Sequence, residues 1–247
     1  MTELLLTGIS SFQSGSMVLP LALHVPDGFL SLPITLMGWV VAIALIAICL
    51  KRAQFEYQER TVPLMGVCAA FIFAAQMINF PIPGGTSGHL LGGTLAGALL
   101  GPWAGSLVMA VVFIVQSFLF QDGGITALGF NIFLMGLIGT FGGYYLYAAI
   151  RKALGWNSWR GIGTGAAIAA WASVVVAAVV CALALALSGT VPLTVALPAM
   201  VFWHMLIGIG EALITVVALG FIYRTRPDLI YKAPKNAIAN RPMASRY

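Results

Sequence analysis

The stretch Ile34-Thr-Leu-Met-Gly-Trp-Val-Val-Ala-Ile-Ala-Leu-Ile-Ala-Ile-Cys-Leu50, closed by Lys51 and Arg52, decides the fold. It carries no charge and almost no polarity, and it ends on two cations. A helix rises about 1.5 Å per residue, so roughly 20 such residues cross the hydrocarbon core of a bilayer. Working outward, six further apolar runs follow at about 62–80, 88–101, 104–120, 131–150, 163–188 and 197–223. The expected architecture is an all-α membrane protein with about seven transmembrane helices. The third run is short and glycine-rich, which predicts a tilted or broken helix. Irregular backbone at that depth is tolerated only where it packs on protein or lines a cavity.

Composition agrees with this reading. The 247 residues are 60% hydrophobic and 8% charged, whereas soluble domains carry roughly a quarter charged residues. The net charge of +5 is therefore no nucleic-acid signal, and no nucleic-acid partner is expected. The placement of the cations matters more than their sum. Lys51, Arg52 and Arg60 follow the first run. Arg151, Lys152 and Arg160 follow the fifth. Arg224, Arg226, Lys232, Lys235, Arg241 and Arg246 follow the seventh. With seven spans all three groups fall on one side, the cytoplasm, so the N-terminus is expected outside and the C-terminus inside a multi-pass bacterial plasma-membrane protein. Residues 224–247, basic and broken by Pro227, Pro234 and Pro242, read as a flexible cytoplasmic tail that touches anionic lipid. Cys49, Cys68 and Cys181 lie in apolar runs without CxxC spacing and read as small buried hydrophobes.

The chain has three histidines. His24 sits in Leu23-His24-Val25-Pro26-Asp27-Gly28-Phe29-Leu30-Ser31, just ahead of the first span. His89 ends the break Pro83-Gly84-Gly85-Thr86-Ser87-Gly88-His89. Two spans separate them, so parity puts both on the outer side. Imidazole suits Ni, Co, Cu and Zn, and the two histidines are the candidate metal ligands. Pro26 and Gly28 make a tight turn, with Asp27 as its acceptor. Gly84, Gly85 and Gly88 let the backbone approach whatever His89 binds; Ser87 lies in the same loop, and Gln76 and Asn79 are near enough to orient it. Gln116 and Asn131 read as interhelical hydrogen-bond partners. His204 and Glu211 are seven residues apart, on one face of the last span. They read, with Asn131, as a structural polar network, with direct functional contact as the alternative.

Two other functions fit parts of the sequence. Gly85-Thr86-Ser87-Gly88 matches the pattern of intramembrane serine proteases, with Ser87 as nucleophile and His204 as base. That leaves His24, His89 and the Pro-Asp-Gly turn unexplained. An autonomous metal channel or secondary transporter needs ionisable groups across the bilayer, and His204 and Glu211 alone are available.

His24-Val-Pro-Asp-Gly-Phe-Leu-Ser31 resembles the opening of the CbiM/NikM family, the substrate-specific membrane components of cobalt and nickel energy-coupling-factor transporters. The resemblance continues through Val62-Pro-Leu-Met-Gly-Val67, Ala74-Ala-Gln-Met-Ile-Asn-Phe80, Gly84–His89, Leu100-Gly-Pro102, Gln121–Gly129 with Asn131, and His204 through Glu211-Ala-Leu-Ile-Thr215. It covers residues 23 to about 223. It implies Co²⁺ or Ni²⁺ as transported ligand rather than cofactor, and no enzymatic activity of the chain's own. The implied partners are a transmembrane coupling subunit (CbiQ/NikQ-like), two ATPases (CbiO/NikO-like) and a small accessory membrane protein (CbiN/NikN-like). In keeping with that division, the sequence carries no Gly-x-x-x-x-Gly-Lys-(Ser/Thr) phosphate loop. The family's site is four nitrogens: the α-amine of residue one, the amide nitrogen and imidazole of a histidine at position two, and a second histidine. His24 and His89 match the histidines. The amine would belong to Leu23, which requires residues 1–22 to be an extension, either a mis-assigned start ahead of initiation at Leu23 or a cleaved leader. Its opening, Met-Thr-Glu-Leu, lacks the basic residues of a leader, which favours initiation at Leu23.

Overall fold

The structure, a computed structural model, describes residues 24–54, 61–81 and 87–232. Leu23, Gly84, Gly85, the extension and the end of the tail lie outside the described residues, as do the side chains of Asn79 and Ser87. The described residues are helical nearly throughout: α1 (Leu32–Ala53), α2 (Thr61–Gln76), α3 (Gly93–Leu119), α4 (Leu128–Ile132), α5 (Gly143–Leu154), α6 (Trp159–Leu187) and α7 (Leu193–Thr225). A π-helical stretch, Phe133–Gly142, joins α4 to α5. The Thr140 hydroxyl bonds Met135 O inside it. Among the described residues five helical elements, the joined 128–154 among them, are long and apolar enough to cross a membrane, and α2 is a shorter sixth.

The expected runs and the helices differ in three places, each for a readable reason. The second run ends four residues early. After Gln76 the chain leaves the helix, and β1 (Asn79–Pro81) pairs antiparallel with β2 (Ser87–His89), Asn79 opposite His89. Pro81 and Pro83 cannot continue a helix. The third and fourth runs form one helical element, α3, broken at Gly101 (φ 78°, ψ 173°) ahead of Pro102. A Cβ on Gly105 would sit 3.0 Å from the carbonyl carbon of Ala96, although nine residues along a straight helix span about 13 Å. The chain therefore doubles back at Gly101–Pro102, where Gly101 packs against the Tyr231 ring. The C-terminal segment is folded further than its composition suggests: Pro227–Leu229 is a 3₁₀ turn, and Tyr231 N donates to Ala98 O at 2.9 Å.

Packing follows membrane rules, in which close backbone approach replaces the hydrophobic effect between helices. Gly93 lies on the Gly139 backbone, and Gly97 and Gly105 straddle Thr140. The α3 side chains are buried along most of their length, whereas Leu32, Val40, Ile43, Leu213, Val217 and Phe221 on α1 and α7 face outward. The buried stripe of α7 runs Ala196, Met200, His204, Gly208, Glu211, Thr215, Leu219, three or four residues apart. The small residues of α6 and α7 admit Trp171, which packs on Gly208 and donates from its indole to Met205 O. One end of the bundle gathers Arg52 over the Trp103 ring, the Gly101 reversal, and Arg151 bonded to Tyr231 O. The two-histidine site lies away from that end.

Candidate metal centre

The turn that carries His24 is held from two sides. Asn131 clamps the neighbouring backbone: its Oδ1 accepts from Val25 N and its Nδ2 donates to Val25 O, both at 3.2 Å. Asp27 fastens the turn to the 121–127 loop, accepting from Ile125 N (3.2 Å), Thr126 N (2.7 Å) and the Thr126 hydroxyl (2.5 Å). Burial alone would raise the Asp27 carboxyl, but the bonds from Thr126 and Ile125 outweigh it and hold it below its ordinary value. Asp27 is thus a loop staple. The loop beneath leaves no room: a Cβ on Gly124 would lie 2.3 Å from Asp27 N. Gly124→Ala is expected to destabilise the fold by about 1–3 kcal/mol through overpacking, measured by thermal unfolding in detergent. An unchanged melting temperature would contradict this packing.

His24 and His89 come together. Their ring centroids are 4.7 Å apart at 77°, and Phe113 packs edge-on against His24 at 5.0 Å. Both imidazoles are buried. A hydrogen-bond chain fixes the proton on His24. It ends at Leu91 O, a carbonyl, which only accepts; Gln76 Nε2 donates to it at 2.7 Å. Gln76 Oε1 then accepts from Gln116 Nε2 at 2.9 Å, and Gln116 Oε1 faces His24 Nε2 at 2.9 Å. His24 must therefore donate from Nε2, which leaves the lone pair on Nδ1. That Nδ1 is buried and has no hydrogen-bond partner among the described residues. Burial pushes the His24 imidazole down to about 4, against a smaller upward pull from Gln116, so it stays neutral at physiological pH. His89 Nδ1 faces its neighbour's carbonyl, Leu90 O, at 2.8 Å, which puts its lone pair on Nε2.

The segment after His89 is pinned as well. Glu211 accepts from Leu91 N at 2.8 Å and Gly92 N at 2.7 Å. Glu211 thus anchors the strand-to-helix passage. His204 lines the same cavity as His24, His89, Val25, Asn131 and Met200, with its Nδ1 facing Met200 O at 2.7 Å. The cavity is about 30 Å³. A buried water needs about 10–15 Å³ of such space, so the cavity holds about two waters and an ion entering here must exchange most of its hydration shell for protein donors.

Sequence reasoning treats Gln116 as a general interhelical partner. Its specific task, setting the tautomer of His24, follows from the direction of a three-residue chain that spacing does not reveal. Groups that orient a metal-ligating histidine typically matter 10–100-fold in affinity. Gln116→Leu is accordingly expected to weaken the affinity of any metal ion held by His24 about 10–100-fold while the protein remains folded, by titration calorimetry. Unaltered affinity would detach Gln116 from the site.

Residues 24–229 match the CbiM family, described as the cobalt uptake substrate-specific transmembrane region. A putative fused nickel transport protein, NikMN, of Archaeoglobus fulgidus is 42% identical over 210 residues, covering 84% of this chain and 68% of that one. The cobalt transport protein CbiM of Sorangium cellulosum is 34% identical over 221 residues, 84% of this chain and 94% of that one. Among solved structures, a truncated transition metal transporter superposes with a TM-score of 0.75 at 33% identity, covering 81% of this chain and 98% of that one.

Proposed function

The chain belongs to the CbiM family and is a cobalt/nickel transport component, and we propose that it captures one Co²⁺ or Ni²⁺ ion between His24 and His89 and releases it inward as the substrate-specific subunit of an energy-coupling-factor importer. One observation carries this reading: a neutral, buried imidazole whose Nδ1 has a lone pair and no hydrogen-bond partner among the described residues, set 4.7 Å from a second imidazole. With metal–nitrogen bonds of about 2.0–2.1 Å, two imidazoles on adjacent corners of one ion have centroids about 4.5 Å apart, and on opposite corners about 6.4 Å. The observed spacing fits adjacent corners. That leaves two corners for the amide nitrogen of His24 and a free amine on residue 23, exposed by initiation there or by removal of residues 1–22. Amine and amide close a five-membered chelate ring, and amide and Nδ1 a six-membered one. A planar nitrogen set of this kind suits Ni(II) and also Cu(II), so the donor set does not by itself choose between cobalt and nickel.

The rest of the assembly follows from the same reading. The chain supplies capture, and ATP hydrolysis falls to two partner ATPases acting through a transmembrane coupling subunit, with a small accessory membrane protein beside them. Seven spans are obtained by counting the two limbs of α3 separately. The clustering of Arg52, Arg151 and the 224–232 segment at one end supports a cytoplasmic placement of that end, in a plasma membrane, with the histidines reached from the other side. The serine-protease alternative gains nothing from the geometry, because the proposed base His204 holds Met200 O and faces the two-histidine cavity.

The pH dependence tests the donor set. A free amine titrates at about 7.7–8.0 and must be deprotonated to bind, as must the amide. His24, already neutral down to about 4, releases no proton. Affinity is therefore expected to fall at least about tenfold per pH unit below pH 7, by competition against a metallochromic dye. A flat profile between pH 8 and 5 would exclude the amine. The unliganded fold should weaken in the same direction. The folded value for His24 lies below the ordinary 6.5, so its contribution is complete above 6.5 and is lost as pH falls toward 4.

A further inference from the structure

At the end of the bundle away from the histidines, Arg151 is buried to 1% exposure. Its Nε donates to Trp156 O at 2.5 Å, and Nη1 donates to the Tyr147 hydroxyl at 3.1 Å and Tyr231 O at 3.2 Å. The guanidinium lies 4.5 Å from the centroid of the Trp156 ring. All these partners are neutral. Nη2 makes no hydrogen bond, and no carboxylate pairs with Arg151 among the described residues. Asp228, three residues before the Tyr231 that Arg151 bonds, is itself bound by Arg226 at 2.9 and 3.0 Å. A buried cation without a carboxylate partner among the described residues is costly to keep, and an anion beside it would offset that cost.

The room for one is present. Arg151 lines a cavity of about 370 Å³ with Lys232, Asn157, Tyr223, Ile162 and Ile230. Ile162 belongs to the first turn of the 29-residue helix α6, whose positive end also favours an anion. The lining divides into a cationic and hydrogen-bonding part and an apolar part, matching a phosphate joined to a glycerol and acyl chain. Tyr223 and Trp159, whose rings lie 5.6 Å apart at a tilt of 36°, are of the aromatic types that favour head-group depth. We propose that this cavity binds the phosphate of an anionic membrane phospholipid, with Arg151 as its buried counter-ion and Lys232 as its outer one.

The test uses the full-length protein in nanodiscs containing phosphatidylcholine and phosphatidylglycerol, with retained lipid counted by native mass spectrometry. Preferential retention of phosphatidylglycerol is expected. Lys232 is exposed, so Lys232→Gln leaves the fold intact, and it should lower the preference about fivefold, the value of one cation near an anionic head group. Arg151→Gln should remove the preference. The triple variant Lys235→Gln, Arg241→Gln and Arg246→Gln should keep it, which separates a built site from diffuse attraction by the tail. Equal retention of the two lipids would overturn the proposal, as would a preference untouched by Lys232→Gln. Displacement of the lipid by millimolar inorganic phosphate would reassign the cavity to a soluble oxyanion and overturn it equally. If Arg151→Gln fails to fold, Lys232→Gln decides alone.

Discussion

His24→Ala and His89→Ala are each expected to cost at least about 100-fold in cobalt or nickel affinity, more than the 10–100-fold typical of a group that merely orients a ligand. The two rings face one small cavity from a turn before α1 and from β2, 4.7 Å apart, and no third ionisable group joins them in a ligand cluster among the described residues. Removing either imidazole takes away one of four proposed corners. His204 is the internal comparison. It lines the same cavity but forms no part of the proposed ligand set, so His204→Ala should weaken binding far less than either of the other two. Titration of each purified variant with Co²⁺ would show this ordering. A His204→Ala loss equal to that of His24→Ala would move the centre of the site.

The second large effect concerns stability. Glu211→Ala should destabilise the fold by about 3 kcal/mol, because it leaves two buried amides, Leu91 N and Gly92 N, without acceptors at about 1–3 kcal/mol each. Glu211→Gln keeps one carbonyl oxygen and should cost about half as much. Metal affinity should fall alongside, since the same passage carries Leu91 O, the terminus of the chain that fixes the His24 tautomer. Denaturation in mixed detergent measures the first effect and calorimetry the second. A loss below about 0.5 kcal/mol in Glu211→Ala would mean those amides find other acceptors and that the clamp is not structural.

These two sets of residues mark how far the sequence can be read. The helices α1, α6 and α7 are visible as unbroken apolar runs, because a bilayer demands continuous backbone hydrogen bonding and apolar side chains. The doubling back of α3 is legible in part, as the gap between the third and fourth runs at Gly101-Pro102. Gly101-Pro102 permits both a kink and a reversal, and the choice is made by what the limbs pack against, Thr140 and Tyr231. The short ribbon of β1 and β2 takes the end of the second run and the start of the third, on either side of the glycine-rich break, since apolarity does not distinguish strand from helix. The π stretch 133–142 has no sequence signature at all. At the site, span parity puts His24 and His89 on one side of the membrane but does not bring them into contact. Contact comes from Asn131, Asp27 and Glu211 bonding to backbone groups, and backbone groups carry no sequence signal. Glutamines 76 and 116 are legible as polar residues in apolar surroundings, which says that each has a partner without saying which.

The most direct measurement is metal content and coordination of the purified chain whose N-terminus has been established by intact mass. The account predicts one Co²⁺ or Ni²⁺ per chain, bound to nitrogen in X-ray absorption spectra, whenever the residue ahead of His24 carries a free amine. It also predicts loss of that site when the same chain retains residues 1–22. One ion bound equally well with residues 1–22 attached, or none bound with the amine free, would contradict it.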